Sequence, residues 1–277
     1  MALLRCDFKS ETLGVSCTIN AILNQQVFAE KGEGHRSPVL YLLHGLSDDH
    51  TVWTRRTSLE RYAEQYDVAI IMPAVQRSFY TNMNIGYRYW DFLTDELPAL
   101  CQAFFPISTD REKTFAAGLS MGGYGAFKLA LSHPERFAAA ASLSGALDLW
   151  GLNSERDVLL PEWQAIFGES FQDSDNDLMA LAKRLKDASS PRPALYQCCG
   201  TEDYLYDANQ RFLQHCRSIG LEIDFEEDPG EHEWGYWDRK IQHALDWLPL
   251  PRIAPLSPAK PQQRLDDPSL SAFTNGA

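Results

Sequence analysis

The chain has 277 residues, enough to bury a large core as one α/β domain or as two small domains. Its 25 Lys+Arg against 38 Asp+Glu leave a formal net charge of −13, which argues against nucleic acid or an anionic membrane surface as partner, since both need a basic footprint. A hydrophobic content of 44% and an aromatic content of 12% are globular values and exclude a disordered chain.

Taken in order, Leu3 to Phe8 and Leu13 to Leu23 are β-rich runs expected to open a sheet as antiparallel strands. Gln25 to Ser37 is polar with two glycines and reads as a loop. Pro38 to His44 is a continuous apolar run behind a proline, as a strand buried on both faces would be, and it empties into Gly45-Leu46-Ser47-Asp48-Asp49-His50. A helix is expected from about Thr57 to Glu64, and Asp67 to Met72 is the next buried strand. Ala74 to Trp90 is a long aromatic loop. Asp91 to Phe105 follows as an amphipathic helix with Asp91 as N-cap and Pro98 dividing it.

Thr114 to Ala126 then carries an apolar strand into Gly118-Leu119-Ser120-Met121-Gly122 and straight on into helix formers. This is the G-x-S-x-G pattern in its confirming context of strand before and helix after. Strand and helix pass so close beside such a turn that side chains two before and two after the serine would collide, which is why both are glycine. Phe137 to Leu143 is another strand, and the segment of about 147–175 breaks the rhythm as a cap-like insertion. A helix near Asn176 to Lys186, a strand at Ala194 to Cys199, a helix near Ala208 to Ser218, a strand at Leu221 to Glu226 and a closing helix at Trp234 to Trp247 complete the alternation. The pattern predicts an α/β-hydrolase fold over 1–248, with a mostly parallel central sheet and helices on both faces. From Pro249 onward the chain holds six of the 15 prolines without periodicity, so 249–277 is expected to be a poorly ordered or surface-draped tail outside the fold.

A serine nucleophile needs a base, and the base needs an orienting group. Of the histidines after Ser120, His133 ends a helix and His215 and His243 fall inside helices. His232 lies in a turn between the last strand and the last helix, on the side of the sheet where ligands bind, and is the expected base. Asp203, just after the strand at Ala194 to Cys199, is the favoured acid; Glu202, Asp207 and Asp148 are its rivals, and a plain helix N-cap is its alternative role. Backbone N–H groups of Met121 and Leu46 are the expected oxyanion donors. His44 ends a strand before Ser120 and is read as a structural histidine. Asp48-Asp49-His50 has metal-ligand residue types but reads as a solvated loop, so neither metal nor cofactor is expected. Trp53, Phe79, Tyr80, Trp234 and Trp237 are open between lining a substrate pocket and packing a core.

Six cysteines, Cys6, Cys17, Cys101, Cys198, Cys199 and Cys216, follow neither metal-ligand nor disulfide spacing. Met1 to Lys9 lacks the apolar core of an export signal, and no apolar run approaches the roughly 18 residues that span a bilayer. A reducing, cytoplasmic setting without membrane contact is expected.

With the elbow, His44-Gly45-Leu46, Glu202-Asp203 and Gly230 to Trp237 all in view, the sequence resembles the bacterial tributyrin esterases, relatives of the esterase D and S-formylglutathione hydrolase group. Tyr41 to Leu46, Asp110 to Ala130, Ser142 to Ala146 and Trp163 to Glu169 carry the likeness further, over most of 1–248. The resemblance implies a cytosolic serine esterase acting on short acyl esters, acetyl to butyryl, with sugar deacetylation among the family's activities. By position it supports Ser120, Asp203 and His232 as triad and the Leu46 and Met121 amides as oxyanion hole. Formylglutathione hydrolases usually carry a cysteine soon after the Gly-Leu of the first loop, where this chain has Ser47-Asp48-Asp49. A thioesterase of that type, an acyltransferase on the same triad and a non-catalytic binding module are the competing readings. The expected partner is a small ester, and homo-oligomer formation is left open.

Overall fold

The computed structural model describes residues 1–155 and 161–253. Its chain opens with β1 (Ala2–Lys9) and β2 (Ser16–Leu23), then α1 (Gln25–Lys31), β3 (Val39–Leu43), α2 (Val52–Arg56), α3 (Leu59–Ala63) and β4 (Ala69–Pro73). A three-residue α4 (Tyr89–Asp91) runs through a π segment, Phe92–Glu96, into α5 (Leu97–Phe104). Then come β5 (Thr114–Leu119), α6 (Met121–Ser132), β6 (Ala139–Leu143), α7 (Leu149–Glu155), α8 (Trp163–Phe167) and α9 (Leu178–Asp187). The chain closes with β7 (Ala194–Gly200), α10 (Tyr206–Ser218), β8 (Asp224–Asp228) and α11 (Trp234–Trp247).

The eight strands form one sheet in the order β1-β2-β4-β3-β5-β6-β7-β8. β2 pairs antiparallel with β1 and β4, and every pairing from β4 to β8 is parallel. Strands β3 to β6 are buried along their whole length, which is why they read as continuous apolar runs. Alternate residues feed two cores. Val39, Tyr41 and Leu43 join the core that holds α5, α6, α9 and α10; Leu40 and Leu42 join the one that holds α2, α3 and α11.

Several boundaries differ from expectation for local reasons. Gln25 to Ser37 is not all loop, because the Asn24 side chain caps α1 by accepting from Gln26 N–H and Gly32 ends it at φ 79°. The helix expected over Thr57 to Glu64 is present as the short α3, Leu59–Ala63, and a further helix, α2, precedes it at Val52–Arg56. Asp91 is not an N-cap, since the helix has already begun at Tyr89. Pro98 does divide that helix: it stands in the first turn of α5, where no N–H is needed, directly after the π segment. The last strand is shifted to Asp224–Asp228, an acidic edge strand without the apolar run of the central ones. Within 147–175 the chain forms α7 and α8, and 156–160 lie outside the described residues.

The tail expectation is corrected over its first residues. Leu250 is 7% exposed and packs with α11 and β4 residues. Asp67 N–H donates to the Pro251 carbonyl at 2.8 Å, and Ile253 N–H donates to the Gln65 carbonyl at 3.0 Å. Residues 249–253 are therefore part of the body, while 254–277 lie outside the described residues.

His44 clamps the ends of β3 and β4. Its Nδ1–H donates to the Gly45 carbonyl at 2.7 Å, its Nε2 accepts from Val75 N–H at 3.0 Å, and its own carbonyl accepts from the Tyr80 hydroxyl at 2.8 Å. Phe79 and Tyr80 both lie at positive φ, 50° and 53°, and need such support. Lys128 of α6 adds more: its buried ammonium donates to the Tyr80 carbonyl (3.2 Å), Thr81 Oγ1 (3.0 Å) and Asn176 Oδ1 (2.7 Å) and lies 4.2 Å from the Trp90 ring centre.

Two predictions follow from these contacts. A chain ending after residue 248 loses the Leu250 side chain from the core and should be about 2 kcal/mol less stable than one ending after residue 253; denaturant titration of both truncations checks this, and equal midpoints would refute it. Burial pushes the His44 imidazole down from 6.5 to about 4. Below about pH 6.5 the unfolded chain takes up a proton that the folded chain refuses. The stability from neutral His44 is thus complete above that pH and lost as pH falls toward 4, on the order of 3 kcal/mol in all. His44→Gln, which has no such proton to gain, should lose less stability than wild type between pH 7 and 4.5.

Candidate active site

Ser120 stands between β5 and α6 at φ 53° and ψ −118°, a conformation that few residues tolerate. The surrounding backbone holds it there. Its N–H donates to the Leu143 carbonyl at 2.9 Å, and its carbonyl accepts from Tyr124 N–H and Ala146 N–H, both at 3.1 Å. The glycines around it are steric necessities. A Cβ on Gly118 would lie 2.4 Å from the Gly122 carbonyl oxygen, and one on Gly122 would lie 2.4 Å from that of Leu43. Met121 is the first residue of α6, so its N–H has no partner inside the helix and stands at the positive end of the helix dipole.

His232 Nε2 lies 3.0 Å from Ser120 Oγ, and its Nδ1 lies 3.0 and 2.9 Å from the two oxygens of Asp203. Asp203 is 4% exposed, and its Oδ1 also accepts from Leu205 N–H at 2.8 Å, so it supports the start of α10 as well as the imidazole. Two loops are fastened together to bring this pair into contact. Thr201 N–H donates to the Asp228 carbonyl at 3.0 Å, and Glu202 N–H donates to the Gly230 carbonyl at 3.1 Å. In return Gly230 N–H donates to the Glu202 carboxylate at 2.6 Å, a bond that holds that carboxyl below its usual range. Gly200 must be glycine, because a Cβ there would meet the Gly230 carbonyl oxygen at 2.1 Å. Beyond the loop, Glu233 caps α11 by accepting from Gly235 and Tyr236 N–H at 2.6 and 2.8 Å.

The loop after β3 lies against Ser120: a Cβ on Gly45 would be 3.8 Å from Ser120 Cβ. Half-buried Asp48 faces back toward Gly45, and burial raises its carboxyl while the Gly45 N–H opposes that rise. Asp49 accepts from Thr51 N–H and Oγ1 at 2.8 and 2.5 Å. Asp48 and Asp49 thus serve the turn itself. Leu46 follows Gly45 directly, so the two expected oxyanion amides come from backbone segments that meet at Ser120.

The rivals for the acid and the base stand elsewhere in the structure. Asp148 pairs with Arg211 at 2.5 Å and accepts from Gly151 N–H at 2.9 Å. Asp207 lies in the first turn of α10. His133 is the C-cap of α6, His215 Nε2 donates to the Met179 carbonyl at 3.0 Å, and His243 pairs with Glu226 at 2.9 Å. The pocket expectation is corrected for three aromatics. Trp53, Phe79 and Tyr80 are at most 3% exposed, packed by the indole bond of Trp53 to the Leu43 carbonyl (3.1 Å) and by Phe79 against Tyr124 and Phe167. Trp234 keeps accessible surface. Sequence reasoning missed Tyr204, whose ring lies 4.4 Å from that of His232; its place beside Asp203 was the available signal.

Residues 10–248 match the Esterase family. An acetyl esterase of Caldicellulosiruptor saccharolyticus is 31% identical over 261 residues, 90% of this chain and 98% of that protein. Among solved structures, the fluorophosphonate-binding serine hydrolase FphF of Staphylococcus aureus superposes with a TM-score of 0.83 at 34% identity, covering 89% of this chain and 98% of its own. The S-formylglutathione hydrolase FrmB of the same organism gives 0.80 at 34% identity, with the same coverage. With the α/β-hydrolase sheet, a strained serine at its elbow and a family match across nearly the whole described body, the chain belongs to the Esterase family and is a serine esterase.

Proposed function

We propose that Ser120, His232 and Asp203 form the catalytic triad of a carboxylesterase for short acyl esters, acetyl to butyryl, with the Leu46 and Met121 amides as oxyanion hole. The observation that carries this reading is the unbroken relay of 3.0 Å from Ser120 Oγ to His232 and 2.9 Å from His232 to Asp203. In acylation His232 Nε2 takes the hydroxyl proton as Oγ attacks the ester carbonyl, and the developing oxyanion is met by the two amides. The protonated imidazole then gives its proton to the departing alkoxide as the C–O bond breaks, leaving an acyl-enzyme. Water repeats the sequence, with His232 again as base, and releases the acid. No other group need be bound for any step.

The acetyl esterase likeness supports the small acyl group. Ser47-Asp48-Asp49 stands where formylglutathione hydrolases usually carry a cysteine, which favours the oxyester over the formylglutathione reading. Among the described residues all six cysteines are free thiols and no helix is long and apolar enough to cross a membrane; both fit the proposed cytoplasmic setting.

Ser120→Ala should abolish hydrolysis of p-nitrophenyl acetate with the thermal transition intact, and a fluorophosphonate probe should label Ser120; retained turnover or labelling elsewhere would overturn the assignment. Across p-nitrophenyl esters of two to eight carbons (about that range, for a small pocket), kcat/KM should peak at acetyl to butyryl. A sugar acetate and S-formylglutathione measured alongside decide the alcohol: preference for the thioester would replace the ester reading.

A further inference from the structure

His232 lies between two aromatic rings. Tyr204, 54% exposed, has its ring centre 4.4 Å from the imidazole at 49°, and Trp237, 5% exposed, meets it at 4.8 Å and 87°. The buried ring is anchored. Trp237 Nε1–H donates to Ser144 Oγ at 3.1 Å. Ser144 is itself fully buried at the end of β6, at φ 48°, with its N–H on the Cys198 carbonyl at 2.7 Å. On its other side Trp237 meets Trp234 at 5.2 Å and 90°, and Trp234 meets Trp53 at 5.4 Å and 87°. Trp53 donates its indole N–H to the carbonyl of Leu43, the last residue of the strand that feeds the oxyanion loop. A row of three indoles, each perpendicular to the next and tied by N–H bonds at both ends, therefore stands behind the imidazole.

The chemistry gives such a brace a task. Asp203 holds only the Nδ1 edge of the ring, which leaves it free to rock about that edge. Nε2 must face Ser120 Oγ first and the leaving oxygen next, and proton delivery falls off steeply with misplacement. We propose that Trp237, anchored by Ser144, is a positioning residue that keeps His232 aligned for proton delivery to the leaving group. The proposal rests on the triad reading above. An alkyl alkoxide needs that proton as its bond breaks, whereas p-nitrophenolate leaves without one. A loosened imidazole therefore penalises alkyl esters more than aryl esters.

The test is kcat/KM, which reports acylation, for ethyl acetate and p-nitrophenyl acetate in wild type, Trp237→Phe, Ser144→Ala and the double variant. The ratio of the two values cancels any loss of active enzyme, so a merely structural role does not move it. In Trp237→Phe the alkyl value should fall ~10-fold and the aryl value only ~2-fold. Ser144→Ala keeps the indole and the core volume, and should shift the ratio in the same direction even where Trp237→Phe folds poorly. The double variant should match the larger single effect, because the two residues act as one unit. Equal losses on both esters, or effects that multiply in the double variant, would overturn the proposal. His232→Ala separates the two levels: an inactive His232→Ala beside an unchanged ratio in Trp237→Phe and Ser144→Ala defeats the brace alone, and an active His232→Ala defeats the triad reading itself.

Discussion

Everything at this site depends on how closely α6 approaches β3 and β5. Backbone meets backbone there, with Gly118 against Gly122 and Gly122 against the Leu43 carbonyl, and any side chain would push the layers apart. That approach fixes three things together. It puts Ser120 in its strained turn, brings the first N–H groups of α6 up to the serine and seats the helix beside the end of β3, where the loop of Gly45 and Leu46 begins. The strain persists because the backbone bonds of Ser120 to Leu143, Tyr124 and Ala146 leave it no alternative.

Around this centre the sheet works as a jig. Parallel strands β3, β5, β7 and β8 all end on one side, so loops distant in sequence open toward one point. Leu46, Ser120, Asp203 and His232 each follow a different strand end. The paired β7 and β8 then deliver their loops already in register, Gly200 opposite Asp228. Aromatic packing fills the space behind, with Tyr80 reaching the His44 carbonyl on one flank and Trp53 the Leu43 carbonyl on the other.

The parts of this arrangement with strong local causes were legible in the sequence. The G-x-S-x-G spacing is written by sterics, and the buried strands by runs that no exposed segment could carry. That His232 and Asp203 would lie near Ser120 could be read from their places after strand ends on one side of the sheet. Less was legible where causes are tertiary. Helix α1 buries Val27 fully and is set by one asparagine cap and one glycine, so its composition looks like a loop. Leu250 reads as part of a proline-rich tail until the groove that receives it is known. An aromatic in a long loop has the same signature whether it lines a pocket or fills a core, and Trp53, Phe79 and Tyr80 proved to be filling. The contacts of Ser144 and Trp237, 93 residues apart, had no sequence signal at all.

The reciprocal bonds between Glu202 and Gly230 carry a wider meaning. They fasten the loops that carry Asp203 and His232 to each other on two paired strands, while Ser120 stands at a different strand end. Relative motion of the two loops is thereby restrained, and the freedom that remains is rocking of the imidazole about its Nδ1 edge and change in the gap between Nε2 and Oγ. A displacement of these paired strand ends would carry Asp203 and His232 together, and the gap between Nε2 and Ser120 Oγ would take up the change.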